Sequence, residues 1–219
     1  MDLVKYGIEK NNPLLTIALT HSSYANEHNT EDYERLEFLG DAVLELVSSE
    51  YFYKNTKLKE GPMTKKRSSY VCEEALDEYA KNINLKDYIK VGNNITPNST
   101  IIADVFEAVI AVIYLNSGLA KAREFIMDNM LSYIEKGVVF LSDYKSYLQE
   151  LVQTNQRSVE YKVIKETGPA HDRFFEVEVL VDNMVFAKGT GKSKKAAEQM
   201  AAKRAIEMSA GGNNETIKN

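Results

Sequence analysis

Apolar residues recur at helical spacing through most of the first 140 residues. This spacing predicts a short helix that begins at residue 13 and leads into a polar turn at 19–23. It also predicts longer helices over 32–54, 62–82, 100–115 and 119–136, separated by polar or glycine-containing turns. No stretch in this part alternates between apolar and polar residues as a half-buried strand does. The pattern therefore predicts an all-α domain over residues 1–140.

The pattern changes after about residue 142. An amphipathic helix is predicted over 143–154, and three alternating segments follow at 159–164, 174–180 and 184–188. Asp182 and Asn183 are typical of a tight hairpin turn, and Ser193 is a capping residue before a helix that runs to about residue 208. The chain thus predicts an α+β domain over residues 143–209, in the order α-β-β-β-α, and a flexible tail over 210–219.

Composition narrows the setting of these two domains. The chain has 219 residues, of which 44% are hydrophobic, so it can bury a proper core. We find no apolar run long enough to span a membrane and no secretory signal pattern at the N-terminus. Cys72 is the only cysteine, which fits a reducing compartment. These features predict a cytoplasmic protein without a membrane partner.

The net charge of −5 is unevenly distributed. Residues 1–140 carry 15 Lys and Arg against 21 Asp and Glu, a net of −6, whereas residues 141–219 carry 12 against 11, a net of +1. The basic residues of the second part cluster between 188 and 204, where Glu198 is the single acid. A local basic patch can steer a polyanion even when the whole molecule is acidic.

Residues 34–44 form the most unusual segment of the first domain. Glu37 and Asp41 stand four residues apart, so a helix places them on one face, where like charges repel. Gly40 between them also weakens a helix. A bound cation is our interpretation of why the chain carries both costs.

A second acidic pair, Asp104 and Glu107, lies three residues apart in the strongly apolar segment 100–115. An unpaired carboxylate is costly to bury, so this pair also indicates a function. If the two helices pack together, four carboxylates converge, and such an oxygen-rich cluster suits Mg²⁺. The alternative for either pair alone is an ordinary solvated helix face.

The segment around Lys192, Lys194 and Lys195 places basic side chains at a helix N-terminus, where backbone N–H groups also attract anions. Within an α-β-β-β-α domain this arrangement favours binding along A-form RNA by shape. A solvated helix start is the alternative for the Lys cluster by itself. Metal-bound carboxylates without an obvious nucleophile predict hydrolysis of a phosphodiester by an activated water.

Three motifs of the first domain and the whole second domain carry a family resemblance. Residues 34–44, the lead-in at 18–27, the acidic motif at 103–108 and the domain at 144–207 closely resemble bacterial ribonuclease III, over about residues 3–208 in total. The resemblance implies a ribonuclease III-like helical fold joined to a double-stranded RNA-binding domain. It also implies a Mg²⁺-dependent endoribonuclease, with Mn²⁺ as a possible substitute, which cleaves double-stranded RNA as a homodimer.

The resemblance assigns roles in the first domain position by position. It makes Asp41 and Glu107 catalytic and gives four metal ligands, Glu37, Asp41, Asp104 and Glu107. It places Glu34 nearer the substrate than the metal, and it places Phe38 in the dimer interface. In the family's dimer the two active sites lie at the ends of one valley that holds the RNA, and Glu60 matches an acid near that valley. Each active site of the dimer would cut one strand, leaving 5′ phosphates and short 3′ overhangs, in the processing of rRNA precursors and other structured RNAs.

In the second domain the resemblance implies that Gln149 and Glu150 contact one minor groove and His171 the next, with Lys194 and Lys195 on the phosphates between them. The segment 91–99 departs from the family, because it is short and uncharged where relatives often have a longer, charged segment. Two alternatives stay open: a binding or scaffold protein with a degenerate nuclease fold, and a non-specific phosphodiesterase. The presence of all four acids disfavours the first, and the RNA-binding domain disfavours the second.

Overall fold

The computed structural model describes residues 1–138, 140, 144–154, 156–169 and 173–211. The chain divides into two compact units, Met1–Ser142 and Asp143–Asn219, and each is described by itself.

Helices build the described part of the first unit, as the sequence pattern predicts, with one isolated β-bridge between Thr20 and Lys90. The unit contains short 3-10 helices at Val4–Tyr6 and Leu85–Tyr88 and six α-helices, α1 Pro13–Ala18, α2 Ser22–His28, α3 Glu34–Asn55, α4 Glu60–Tyr70, α5 Glu73–Asn82 and α6 Ser99–Glu135. Helix α6 forms the centre, because nearly every residue from Ile101 to Ile113 is buried. Its apolar side chains pack with the buried faces of α3 and α5, which include Val43, Leu44 and Leu76.

Two of the predicted breaks between helices are confirmed, and one predicted helix is wrong. Helix α1 ends at Ala18, so the predicted helix end before the polar turn is confirmed. The backbone of His21 is extended, and its side chain accepts from Ser23 N to cap α2, a helix that the pattern does not predict. The predicted helix 62–82 breaks between α4 and α5, where Cys72 is extended. The predicted break between the helices 100–115 and 119–136 is confirmed, because Gly118 has a non-helical backbone with a φ of 79°, which suits glycine. Helix α6 is therefore two helical stretches joined at a kink.

Among the helices that the structure describes, α6 is the one long and apolar enough to cross a membrane by length and composition. In this fold 61% of its most apolar window is buried, as in the core helix of a globular domain.

The second unit has the predicted α-β-β-β-α order. Helix α7 Tyr144–Thr154 precedes the strands β1 Val159–Thr167, β2 Phe174–Val181 and β3 Met184–Gly191, and helix α8 Lys194–Gly211 follows them. The sheet is antiparallel with the order β1-β2-β3. Asp182 and Asn183 join β2 to β3 with φ values of 50° and 65°, the left-handed pair that a type I′ hairpin requires.

One face of this sheet packs against the two helices. Val177 and Val179 of β2 are fully buried, as are Leu148 of α7 and Ala201 of α8. The Ser193 hydroxyl accepts from Ala196 N at 3.1 Å, which confirms the predicted cap of α8. Helix α8 continues to Gly211, so the predicted tail over 210–219 starts too early, and the rest of it lies outside the described residues.

Candidate active site

Helices α3 and α6 approach most closely at Gly40. A Cβ atom placed on Gly40 would lie 1.8 Å from the main-chain oxygen of Glu107, so no larger residue fits at this crossing. The interpretation that a bound cation explains Gly40 is therefore incomplete, because the helix packing alone requires glycine. The same contact brings the acidic pair of α3 beside the acidic pair of α6.

All four predicted acids face this crossing region. Asp41 is exposed, whereas Glu37, Asp104 and Glu107 are partly buried. Glu107 is the most strongly perturbed: burial raises its pKa to about 8, and the carboxylates of Asp41, Glu37, Asp104 and Glu45 act in the same direction. A carboxyl group in this environment holds its proton near neutral pH unless a cation arrives.

The other perturbed acids show the same physical causes. Burial raises the pKa of Glu37, and Asp104, Glu34 and Asp41 raise it further. Burial also raises the pKa of Asp104, although a hydrogen bond from Tyr33 opposes that shift. The Tyr33 hydroxyl donates to Oδ2 of Asp104 at 3.0 Å. Burial and the nearby acids hold the pKa of Tyr33 well above its usual range, so it remains a neutral donor.

The donor set fits a hard divalent cation by its chemistry. Carboxylate oxygens are the ligands that Mg²⁺ and Mn²⁺ prefer, and a cation would relieve the mutual repulsion that raises the pKa of Glu107. Within the described ranges no three His, Cys, Asp or Glu side chains are close enough to form a complete ligand group. The structure thus shows an acidic site and not a preformed coordination shell.

Three further predicted residues lie on α3 and α4. Glu34 lies in the first turn of α3 and is exposed, and its charge reaches Glu37. Phe38 is 82% exposed, on the side of α3 that faces away from the core. Glu60 begins α4 and accepts from the hydroxyl of Thr64 at 3.3 Å.

The predicted RNA contacts of the second unit lie on two helices. Gln149 and Glu150 are exposed on α7, and Lys194 and Lys195 are exposed in the first turn of α8. The ammonium group of Lys194 also lies over the Phe175 ring, 5.9 Å from its centre. His171 lies outside the described residues.

Sequence reasoning missed Tyr33, His21 and Glu45. Tyr33 and His21 act on Asp104 from positions distant in sequence, which no local spacing reveals. Glu45 could have been found, because it stands four residues after Asp41 and extends the same acidic face by one turn.

Comparison with known proteins places both units in known families. Residues 11–134 match the family described as ribonuclease-III-like, and residues 144–208 match the double-stranded RNA binding motif.

Two relatives named ribonuclease 3 span most of the chain. The one from Streptococcus pneumoniae (strain Hungary19A-6) is 46% identical over 205 residues, covering 89% of this chain and 88% of the relative. The one from Onion yellows phytoplasma (strain OY-M) is 44% identical over 195 residues, covering 86% and 82%.

A solved structure supports the same assignment for the helical unit. The nuclease domain of ribonuclease III from Campylobacter jejuni, described as flexible in a region involved in dimer formation, is 35% identical with a TM-score of 0.53. The match covers 59% of this chain and 94% of that domain. The chain belongs to the ribonuclease III family.

Proposed function

We propose that this chain is an endoribonuclease that hydrolyses phosphodiester bonds of double-stranded RNA with the help of Mg²⁺, or of Mn²⁺ in its place. The observation that carries this proposal is Glu107, a partly buried carboxyl group whose pKa is raised to about 8 by burial and by the carboxylates of four neighbouring acids. Partly buried carboxylates that lie close together destabilise the folded state, and a bound cation would offset that destabilisation. Residues 1–140 would form the catalytic domain and residues 143–209 the RNA-binding domain.

Within the catalytic domain the acidic residues would have different roles. Glu37, Asp41, Asp104 and Glu107 would hold the metal. When bound, the cation would lower the pKa of a water molecule and stabilise the leaving oxygen. Asp41 and Glu107 would orient the reacting groups from the two sides of the helix crossing, and Tyr33 would keep the Asp104 carboxylate in place through its hydrogen bond. Glu34 would lie towards the RNA.

An exposed apolar stripe on α3 supports a homodimer. Phe38, Leu46 and Tyr53 are 82%, 54% and 75% exposed, and their spacing of eight and seven residues places them on one side of the helix. Exposed aromatic residues in such a stripe are typical of a protein interface. Paired subunits would bring two acidic sites to one duplex and yield 5′ phosphates with short 3′ overhangs.

The RNA-binding domain would hold the duplex by shape and charge. Gln149 and Glu150 on α7 and His171 would contact minor grooves, and Lys194 and Lys195 would contact phosphates at the N-terminus of α8. The physiological role would be cytoplasmic processing of rRNA precursors and other structured RNAs.

Replacing Glu107 by Gln tests the catalytic proposal. We expect Glu107→Gln to lose nearly all cleavage of a long RNA duplex in Mg²⁺ while duplex binding in EDTA stays unchanged, because the amide cannot serve as an anionic ligand. Glu124→Gln, farther along α6, is the matched control and should cut normally. Appreciable cleavage by Glu107→Gln, or metal-independent cleavage by the unsubstituted chain, would contradict the proposal. Binding without cutting by the unsubstituted chain would favour a scaffold protein.

The dimer can be tested separately at the stripe on α3. Phe38→Ala should weaken self-association by about tenfold or more, because exposed aromatic anchors dominate interfaces. Sedimentation velocity over a dilution series measures this, and Leu115→Ala, an exposed apolar residue of α6, is the control. Equal dissociation constants for the two variants would remove Phe38 from the interface.

A further inference from the structure

The acidic face of α3 continues for a turn beyond the four proposed ligands. Glu37, Asp41 and Glu45 recur every four residues, so successive turns of the helix present one carboxylate each on the same side. The charge of Glu45 acts on Glu107, together with the charges of the predicted acids. Glu45 is therefore a fifth acid at the edge of the site, although neither the sequence motifs nor the proposed mechanism uses it.

Arg67 of α4 engages this fifth acid. Its buried Nε atom lies 2.7 Å from Oε2 of Glu45, which is the distance of an ion pair without the geometry of a hydrogen bond. Its Nη1 donates to the hydroxyl of Ser49 at 3.0 Å. Glu45 and Ser49 lie on successive turns of α3, so the planar guanidinium contacts two points on the helix and its direction is fixed. Both partners of the ion pair are about two-thirds shielded from solvent, which limits screening.

The pair has a consequence for the charge of the site. With Arg67 in place, Glu45 and Arg67 together add no net charge beside Glu37, Asp41, Asp104 and Glu107. Without Arg67, the Glu45 carboxylate would add a fifth negative charge, and its side chain would be free to turn along α3 towards Asp41.

We infer that Arg67 is a positioning residue, which holds Glu45 against α4 and thereby limits the divalent-cation site to four carboxylates. The inference rests on the proposed metal site and adds a residue that sets its charge and its ligand set. Two other roles for Arg67 give different results in the experiment below: simple attachment of α4 to α3, and direct contact with an RNA phosphate.

The test measures Mn²⁺ binding to the full chain without RNA, by the loss of the free-ion signal in electron paramagnetic resonance. Arg67→Met removes the charge and keeps most of the stem, and it should tighten Mn²⁺ binding. Glu45→Gln leaves the guanidinium unmatched and should weaken it. Each shift should be roughly three- to tenfold, the size expected for one charge near a divalent ion at high effective dielectric. The double variant should bind as the unsubstituted chain does.

Cleavage of duplex RNA provides the second readout. Arg67→Met should lower kcat because Glu45 enters the site, and adding Glu45→Gln should restore it. Arg67→Lys, which keeps the charge, should stay near the unsubstituted chain in Mn²⁺ binding. Arg123→Met is the control, because Arg123 also pairs with an acid of α3, Glu50, but that pair does not act on Glu107.

Shifts of the same sign for Arg67→Met and Glu45→Gln would overturn the inference and indicate that Arg67 only attaches α4. A loss of kcat that Glu45→Gln does not restore, with unchanged Mn²⁺ binding, would overturn it in favour of a phosphate contact. Failure of the underlying metal site has a different signature, in which Glu107→Gln binds Mn²⁺ as well as the unsubstituted chain does.

Discussion

At the acidic site of the first unit acids face other acids, and Arg67 beside it is engaged by Glu45. In the second unit basic and acidic side chains alternate: Lys145 lies 2.7 Å from Glu198, and Lys188 lies 2.8 Å from Glu178. The difference follows from what each surface must attract. A small divalent ion requires a concentrated negative site, whereas a long polyanion needs a few phosphate contacts on a surface that is otherwise balanced.

Among the substitutions that test this contrast, Gly40→Ala should have the largest effect on cleavage and stability. The new methyl group would meet the main chain of Glu107, which cannot rotate away, so the two helices must separate. We expect the cleavage rate to fall by about 100-fold or more, because even a small misplacement of catalytic groups slows a reaction strongly. The free energy of unfolding should fall by about 1–3 kcal/mol. Steady-state kinetics and urea unfolding measure both, with Gly61→Ala, whose methyl would meet nothing within 4 Å, as control. Normal cleavage by Gly40→Ala would show that the crossing does not set the site.

The contrast between Gly40 and the four acids shows what sequence reasoning could reach. Helical spacing predicts each acidic pair because the residues are three or four positions apart and their geometry is local. Their convergence depends on Gly40 meeting a backbone atom 67 residues away in sequence, so the sequence alone shows this glycine only as a helix-weakening residue. Tyr33 was missed for the same reason, since its partner Asp104 is 71 residues distant.

The α+β unit was easier to predict for a physical reason. Its strands alternate, its hairpin contains Asp182 and Asn183, and Ser193 caps its last helix, so each boundary has a local chemical signal. The break at Cys72 between α4 and α5 has no glycine or proline to mark it, and the pattern of apolar residues runs on through it.

The next largest effect should be the pH dependence of stability, which we expect to come from the acidic site of the first unit. Because the folded pKa of Glu107 is about 8 and its ordinary value is 4.5, the folded chain binds more protons than the unfolded chain between these values. Stability of the metal-free protein should therefore fall as pH rises from about 4.5 to 8, with each unit of pKa difference worth about 1.4 kcal/mol at full burial. Urea unfolding in EDTA across this range measures the slope.

Glu107→Gln should flatten that slope, and Mg²⁺ should reduce it by favouring the ionised carboxylate. If the unfolding free energies of the substituted and unsubstituted chains fall in parallel as pH rises, the slope comes from other titrating groups. The charge of the acidic site would then not determine how the stability of the first unit depends on pH.

The smallest effect should come from the second unit. Replacing Lys194 and Lys195 together by Ala should weaken duplex binding by about tenfold and reduce the slope of log affinity against log salt by about 2, because two phosphate contacts are lost. Filter binding in EDTA at several salt concentrations measures this. Lys188→Ala removes a lysine that is already paired with Glu178 and should leave the slope unchanged. An unchanged slope for the double variant would place the phosphate contacts elsewhere.

The contact at Gly40 also determines which substitutions among the acids can be tolerated. Since main chain touches main chain there, the two helix axes cannot shift to follow a shorter or longer side chain. Exchanging Asp41 for Glu, or Glu107 for Asp, keeps the charge but moves the carboxylate by one methylene, with no neighbouring backbone able to take up the difference. The fixed separation of the two helices therefore restricts the length of the side chain at each of the four acidic positions as strongly as it restricts the charge.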